Sequence, residues 1–163
     1  MIEIVQGELS DQDTDAVLRP IRSDLAPVTA AARDVGQRAG AAVEDRLEAT
    51  GRVPVGGAVL TPGGGLVASF LIHAVVMSME EPQSRATVER ALGNGLARAR
   101  DWGVTSLSLP ALGLGAGSMN PEESARAFLD VLQGHLETGE PPRELRVVAI
   151  NEFERDLLAR MLG

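Results

Sequence analysis

The sequence contains no cysteine and no lysine, and each absence excludes a class of chemistry. Without cysteine the chain has no disulfide framework, no thiolate nucleophile and no cysteine-based zinc or iron–sulfur site, which favours a reducing, cytoplasmic location. All 15 basic residues are arginine, so Schiff-base chemistry and a phosphate-loop lysine are excluded. Any phosphate must therefore be held by main-chain amides or by arginine.

Aromatic residues, positive charge and long apolar runs are also scarce. The chain has three Phe, one Trp and no Tyr, and its net charge is -8, which excludes general nucleic-acid binding. The longest apolar run, residues 66–79, is interrupted by Ser69 and His73 and is too short for a membrane helix. Residues 1–4 carry an acid where a secretory signal would be basic. We therefore expect a strand at the start and no membrane partner.

Short β-rich runs alternate with longer segments of helical period along the chain. This order predicts one α/β domain over residues 1–163, with helices on both faces of a sheet. The predicted strands are residues 3–5, 16–19, 58–61, 68–77, 105–109 and 146–150. The predicted helices are residues 27–49, capped by Ser23 or Asp24, residues 83–102, a third helix from residue 121, and residues 152–161.

A glycine-rich connection joins the predicted fifth strand to the third helix. Residues 107–120 are LSLPALGLGAGSMN, and Asn120 followed by Pro121 predicts a well-capped helix start. Glycines allow a close main-chain approach, and amides at a helix start attract anions, so a phosphate fits here without a basic side chain. A simple tight turn explains the same pattern. The glycine spacing matches neither G-x-G-x-x-G nor G-x-S-x-G.

Four segments spread over residues 2–162 carry a recognisable pattern. They are residues 4–10 (IVQGELS) with 15–18 (DAVL), residues 56–62 (GGAVLTP) with 70–75 (FLIHAV), residues 109–117 (LPALGLGAG) with 121–125 (PEESA), and residues 147–153 (VVAINEF). In order and spacing these segments resemble macro domains, the family that binds ADP-ribose. The resemblance implies a three-layer αβα fold with a mixed, mostly parallel sheet of about six strands.

The resemblance also implies where ADP-ribose would bind. Six residues correspond to the family's second phosphate loop, and their amides would face the diphosphate and the distal ribose. These residues are Gly113, Leu114, Gly115, Ala116, Gly117 and Ser118. Glu8 stands where the family has an adenine-contacting Asp, and the amide of Leu9 would lie beside it. Phe153, or failing it Ile150, would be the apolar group against the purine.

The chain departs from the family after its second strand. The family's N-A-A-N is replaced by R-P-I-R, and its glycine-rich first loop by residues 25–28 (LAPV) behind Ser23 and Asp24. These changes remove about half of the groups that hold the ligand in the family. Each lost hydrogen bond to a charged group weakens binding by on the order of 1.5–3 kcal/mol. Arg19 and Arg22 can compensate by pairing with phosphate, whose geometry a guanidinium matches. Asp24 would repel a diphosphate unless Arg22 offsets its charge.

The other polar residues have structural interpretations. His73 falls on the family's histidine but lies in an apolar run, so we expect a hydrogen-bonded core histidine rather than a base. His135 is expected at the surface. The acids Asp11, Asp13 and Asp15 form no metal-loop pattern and are expected to be solvated, and we predict no metal or cofactor.

Three functions remain open at this point. The first is a module that binds ADP-ribose or a related nucleotide diphosphate through the retained glycine loop. The second is hydrolysis of ADP-ribose from protein carboxylates or of O-acetyl-ADP-ribose, with an ADP-ribosylated protein as partner. The replaced N-A-A-N motif and first loop count against this second function, and no catalytic residue is assigned. The third is a diverged scaffold whose nucleotide binding is altered or lost.

Overall fold

A computed structural model describes residues 1–114 and 120–163. Within these residues the strands are β1 Ile2–Gln6, β2 Ala16–Arg22, β3 Ala58–Pro62, β4 Phe70–Met77, β5 Ser106–Leu109 and β6 Glu144–Ala149. The α-helices are α1 Ala30–Ala39, α2 Ala41–Thr50, α3 Arg85–Asp101, α4 Pro121–Glu137 and α5 Glu152–Leu162, and a 3-10 turn, Leu9–Asp11, follows β1. The prediction of a six-stranded α/β fold is confirmed.

The six strands form one sheet in the order β1-β6-β5-β2-β4-β3. All neighbours are parallel except β3, which pairs antiparallel with β4 at one edge. Alternate residues of a strand face opposite sides of a sheet. On β2, Ala16 and Leu18 pack into the core with α3, α4 and α5. Val17 and Ile21 pack against α1 and α2, which completes three layers.

The predicted single helix over residues 27–49 is wrong, because the segment forms two helices. Gly40 separates them with a φ of 102°, a conformation that only glycine adopts readily and that ends a right-handed helix. The predicted caps Ser23 and Asp24 do not cap α1 either. Thr29 does so, because its side chain accepts a hydrogen bond from the amide of Ala32.

The other helix starts follow ordinary capping chemistry. Ser84 caps α3 in a reciprocal capping box with Thr87. Asn120 accepts hydrogen bonds from two amides in the first turn of α4, as predicted. Asn151 caps α5 through the amide of Glu154. Among the residues that the structure describes, no helix is both long enough and apolar enough to cross a membrane.

Candidate functional site

A cleft of about 470 Å³ opens where the carboxyl ends of β1, β5 and β6 meet the start of α1. Its lining is Glu8, Thr29, Ala30, Ala31, Asp34, Pro110, Ala111, Leu114, Ile150 and Glu154. The adjacent strands β2 and β5 lead into α1 and α4, which pack on opposite faces of the sheet. Such a divergence creates a crevice at the strand ends, the place where ligands bind in open α/β sheets.

The four residues predicted on the adenine side have different positions relative to this cleft. Glu8 is exposed and lines the cleft. The Leu9 side chain is buried in the core, so only its main chain can face a ligand. Ile150 is 63% exposed and lines the cleft, whereas Phe153 is 70% exposed and is not part of the lining. Of the two apolar candidates, Ile150 is therefore the one that lines the cleft.

The first turn of α1 supplies main-chain donors to the cleft wall. Thr29 satisfies the amide of Ala32, and the amide of Arg33 bonds to the Thr29 carbonyl. Within residues 1–114 and 120–163, the amides of Ala30 and Ala31 have no hydrogen-bond acceptor. Uncommitted amides at a helix start, together with the helix dipole, favour an anion.

The predicted phosphate loop lies only partly within the described residues. Gly113 has a φ of 85°, which requires glycine, and the Leu114 amide donates to the Ala111 carbonyl in a turn. Leu114 lines the cleft. The remaining loop residues of the prediction, Gly115, Ala116, Gly117 and Ser118, lie outside the described residues.

Among the described residues, the charged side chains of the cleft lining are all acidic. Asp34 accepts a hydrogen bond from Ser10 Oγ at 2.6 Å, and Glu154 Oε1 accepts one from the Ile150 amide at 3.3 Å. Burial raises the pKa of the Glu154 carboxyl above its usual value, although the Ile150 amide opposes the shift. In the described part of the chain the cleft lining contains these two acids, Glu8 and no arginine. Among the described residues, a phosphate in this cleft therefore has main-chain amides and the Thr29 hydroxyl as potential donors, and no cationic side chain of the lining.

Arg19 points away from the cleft, into the space between the sheet and the helix pair α1 and α2. Its Nε donates to His73 Nδ1 at 3.0 Å, its Nη1 to the Ala32 carbonyl at 3.1 Å and its Nη2 to Glu44 Oε1 at 3.1 Å. The pKa of His73 is lowered to about 3, mainly by burial and to a smaller extent by the charge of Arg19. Neutral His73 then donates through Nε2 to Thr61 Oγ1. His73 is thus a hydrogen-bonded core histidine, as predicted.

The other residues that replace N-A-A-N and the first loop also form their polar contacts within the protein. Arg22 forms an ion pair with Asp24 at 2.8 Å. Ser23 is buried, and its amide donates to the Met77 carbonyl. None of Arg19, Arg22, Ser23 and Asp24 is part of the cleft lining.

The main chain of this replaced loop folds back on itself. Leu25 has a φ of 78°, which is uncommon for a residue other than glycine. The loop's hydrogen bonds run from the Leu25 amide to the Arg22 carbonyl, from the Ala26 amide to Asp24 Oδ1 and from the Val28 amide to the Pro20 carbonyl. These amides are therefore not available to a diphosphate.

Three polar residues of the cleft lining were not predicted from the sequence. Thr29 carries a local signal, since a threonine directly before a helical run is a typical cap. Glu154 also carries one, because it stands three residues after the cap Asn151, at the capping-box spacing. Asp34 has no comparable signal in the middle of α1, because only the fold brings it beside Ser10 and the cleft.

Comparison with known proteins identifies the fold as that of a macro domain. The Macro domain family matches residues 28–128. An uncharacterised protein of Aeropyrum pernix is 32% identical over 155 residues, which cover 93% of this chain and 80% of that protein. A macro domain-containing protein of Caldanaerobacter subterraneus subsp. tengcongensis is 26% identical over 165 residues, covering 98% of this chain and 94% of the relative. The chain belongs to the macro domain family.

The solved structures agree with this assignment. A variant of the Oceanobacillus iheyensis macrodomain, solved with ADPR, superimposes with a TM-score of 0.85 at 20% identity. The superposition covers 99% of this chain and 91% of that chain. At this identity the likeness establishes the fold.

Proposed function

We propose that the cleft binds ADP-ribose or a closely related nucleotide diphosphate. One observation carries the proposal. The cleft at the strand ends combines the amides of Ala30 and Ala31, which have no acceptor among the described residues, with an apolar wall at Leu114 and Ile150. Its volume of about 470 Å³ falls in the usual range for small-molecule sites. The Oceanobacillus iheyensis macrodomain solved with ADPR supports the choice of ligand.

The charges of the cleft fix the direction in which we place the ligand. Carboxylates accept hydrogen bonds from amino and hydroxyl groups and repel phosphate oxygens. We therefore place the nucleoside beside Glu8, Asp34 and Glu154, with the base against Ile150. The diphosphate then lies at the start of α1, and we further propose that the amides of Gly113 and of residues 115–118 contact it, because the Leu114 amide is bonded to the Ala111 carbonyl.

Isothermal titration with ADP-ribose tests the proposal through a matched pair of variants. The parent should bind saturably, at micromolar to millimolar concentration. Ala31→Trp should weaken binding more than about tenfold, because the indole occupies the cleft and covers the amides at the start of α1. Ala97→Trp is the control, since Ala97 is also a partly exposed alanine on a helix but lies outside the cleft.

The control variant should bind like the parent. Absence of both heat and a thermal shift in the parent at millimolar ADP-ribose would exclude nucleotide binding. Equal weakening by the two tryptophans would place the ligand elsewhere.

A second variant pair tests which apolar residue contacts the base. Ile150→Ala should weaken ADP-ribose binding about fivefold, since removing part of an apolar contact costs about 1 kcal/mol. Phe153→Ala should leave the affinity unchanged, because Phe153 is not part of the cleft lining. The measurement is again calorimetric. A larger loss for Phe153→Ala than for Ile150→Ala would show that the base stacks on the aromatic ring instead.

A further inference from the structure

A second cavity, of about 340 Å³, lies between α1 and α2. Its lining is Arg19, Pro27, Arg33, Gly36, Gln37, Gly40, Ala41 and Glu44. It shares no lining residue with the cleft described above, although both cavities border α1. The proposed nucleotide site therefore gives this cavity no role.

A buried cation contributes to the wall of this cavity. The Arg19 side chain is only 2% exposed. A guanidinium has five N–H donors, and three of those of Arg19 have acceptors in His73, Ala32 and Glu44. Within the described residues, one donor on each terminal nitrogen has no acceptor. A buried charge with incomplete hydrogen bonding is costly, so this guanidinium favours a further anionic acceptor. Burial also lowers the pKa of Arg19 below its usual value, in agreement with incomplete compensation.

Gly36 provides the room for this guanidinium. A side-chain Cβ at residue 36 would overlap Arg19 Nη1 and would stand 2.7 Å from Glu44 Oε1. The helix α1 therefore passes close to the Arg19–Glu44 pair only because residue 36 is glycine. The absence of a side chain also leaves the cavity beside the pair open.

The start of α2 adds main-chain donors to the same cavity. Gly40 is the N-cap residue and offers no side chain to the first amides of α2. A Cβ at Gly40 would meet no atom within 4 Å, so the space in front of this helix start is open. Amides at an uncapped helix start and the helix dipole both attract negative charge.

The charges around the cavity are predominantly positive. Arg19 and Arg33 line it, against the single acid Glu44. Across the described residues, Arg33 forms no salt bridge. Glu44 contacts Arg19 with one oxygen and is 40% exposed, so its carboxylate can turn into solvent. This local excess of cations contrasts with a chain of net charge -8.

We propose that this cavity is a binding site for a phosphate group, and that Glu44 is an internal anion which the phosphate displaces. The donors converge from the Arg19 guanidinium, the Arg33 guanidinium and the start of α2, which suits a tetrahedral anion with several acceptor oxygens. A ligand that carries a carboxylate would bind weakly here, because it would only replace the carboxylate of Glu44. A phosphate dianion carries more charge and offers more acceptors than the carboxylate it replaces.

Titration with inorganic phosphate, at constant ionic strength set with NaCl, tests this site in the full chain. Glu44→Gln should bind phosphate about tenfold more tightly than the parent, since it removes the competing charge and keeps a hydrogen-bond acceptor for Arg19. Adding Arg33→Gln to Glu44→Gln should weaken binding about fivefold or more. Adding Arg46→Gln instead is the matched control, because Arg46 is an exposed arginine of α2 outside the cavity.

The outcomes separate this site from the nucleotide cleft. Ala31→Trp should leave phosphate binding to the Glu44→Gln variant unchanged, because Ala31 does not line this cavity. Three results would overturn the proposal: no tighter binding in Glu44→Gln, equal effects of Arg33→Gln and Arg46→Gln, or loss of phosphate binding in Ala31→Trp. The first two results leave the ADP-ribose proposal untouched, and the third assigns the phosphate to the cleft.

Discussion

Replacing Arg19 by alanine should lower the free energy of unfolding by about 3 kcal/mol. The substitution leaves His73 Nδ1 without its donor, removes the Arg19 donor from the Ala32 carbonyl and opens a void between β2 and α1. Glu44 adds little to the loss, since its carboxylate is 40% exposed and can be hydrated. Urea unfolding followed by circular dichroism measures the change.

Two further variants separate hydrogen bonding from volume. Arg19→Met fills most of the space but supplies no donors, so its loss should be smaller than that of Arg19→Ala. Arg46→Ala removes an exposed arginine of α2 and should change stability by less than about 0.5 kcal/mol. If Arg19→Ala were as stable as the parent, the buried network would not hold α1 against the sheet.

Acidification should destabilise the protein through His73 by roughly 4 kcal/mol between neutral pH and pH 3. The folded-state pKa of His73 is lowered from 6.5 to about 3, by burial and by the Arg19 charge. Below pH 6.5 the unfolded chain takes up a proton that the folded chain does not, so the stability present above 6.5 is lost as the pH falls towards 3. The slope from this one group is about 1.4 kcal/mol per pH unit.

The contribution of His73 is isolated by comparison with His73→Gln. A glutamine can accept from Arg19 and donate to Thr61, as the neutral imidazole does. The free energy of unfolding, measured with urea across this pH range, should therefore fall less steeply with decreasing pH in His73→Gln than in the parent. His135→Gln is the matched control and should retain the acid-dependent loss, because it leaves His73 and its hydrogen-bond partners unchanged. Equal slopes for the parent and His73→Gln would contradict the assignment.

Much of the fold follows from local rules that the sequence displays. Asn120 and Pro121 mark the start of α4 because capping depends on neighbouring residues alone. The run of residues 70–77 is buried on both faces of the sheet and has the continuous apolar character of a central strand. The break at Gly40 was not predicted, since a glycine within a helical pattern is often tolerated and only the packing of α2 fixes its positive φ.

The candidate site was predicted less completely, because its residues are defined by tertiary structure. Glu8, Leu114 and Ile150 were assigned to the ligand from the resemblance, and the structure brings them to one cleft. Arg19 was assigned to the ligand site as a residue that can compensate for lost phosphate contacts. The orientation of the Arg19 side chain depends on which face of β2 it occupies and on the space left by Gly36. Both depend on how the strands and α1 pack together, which the sequence alone does not reveal.

Binding of ADP-ribose in the cleft can be measured by titrating isotopically labelled protein with the nucleotide and following the amide chemical shifts in nuclear magnetic resonance spectra. We expect saturable shifts at main-chain amides of the cleft lining. These are the amides of Glu8, Ala30, Ala31, Leu114 and Ile150. Unchanged spectra at millimolar ADP-ribose, or shifts confined to Arg33 and Glu44 around the second cavity, would contradict binding of ADP-ribose in the cleft.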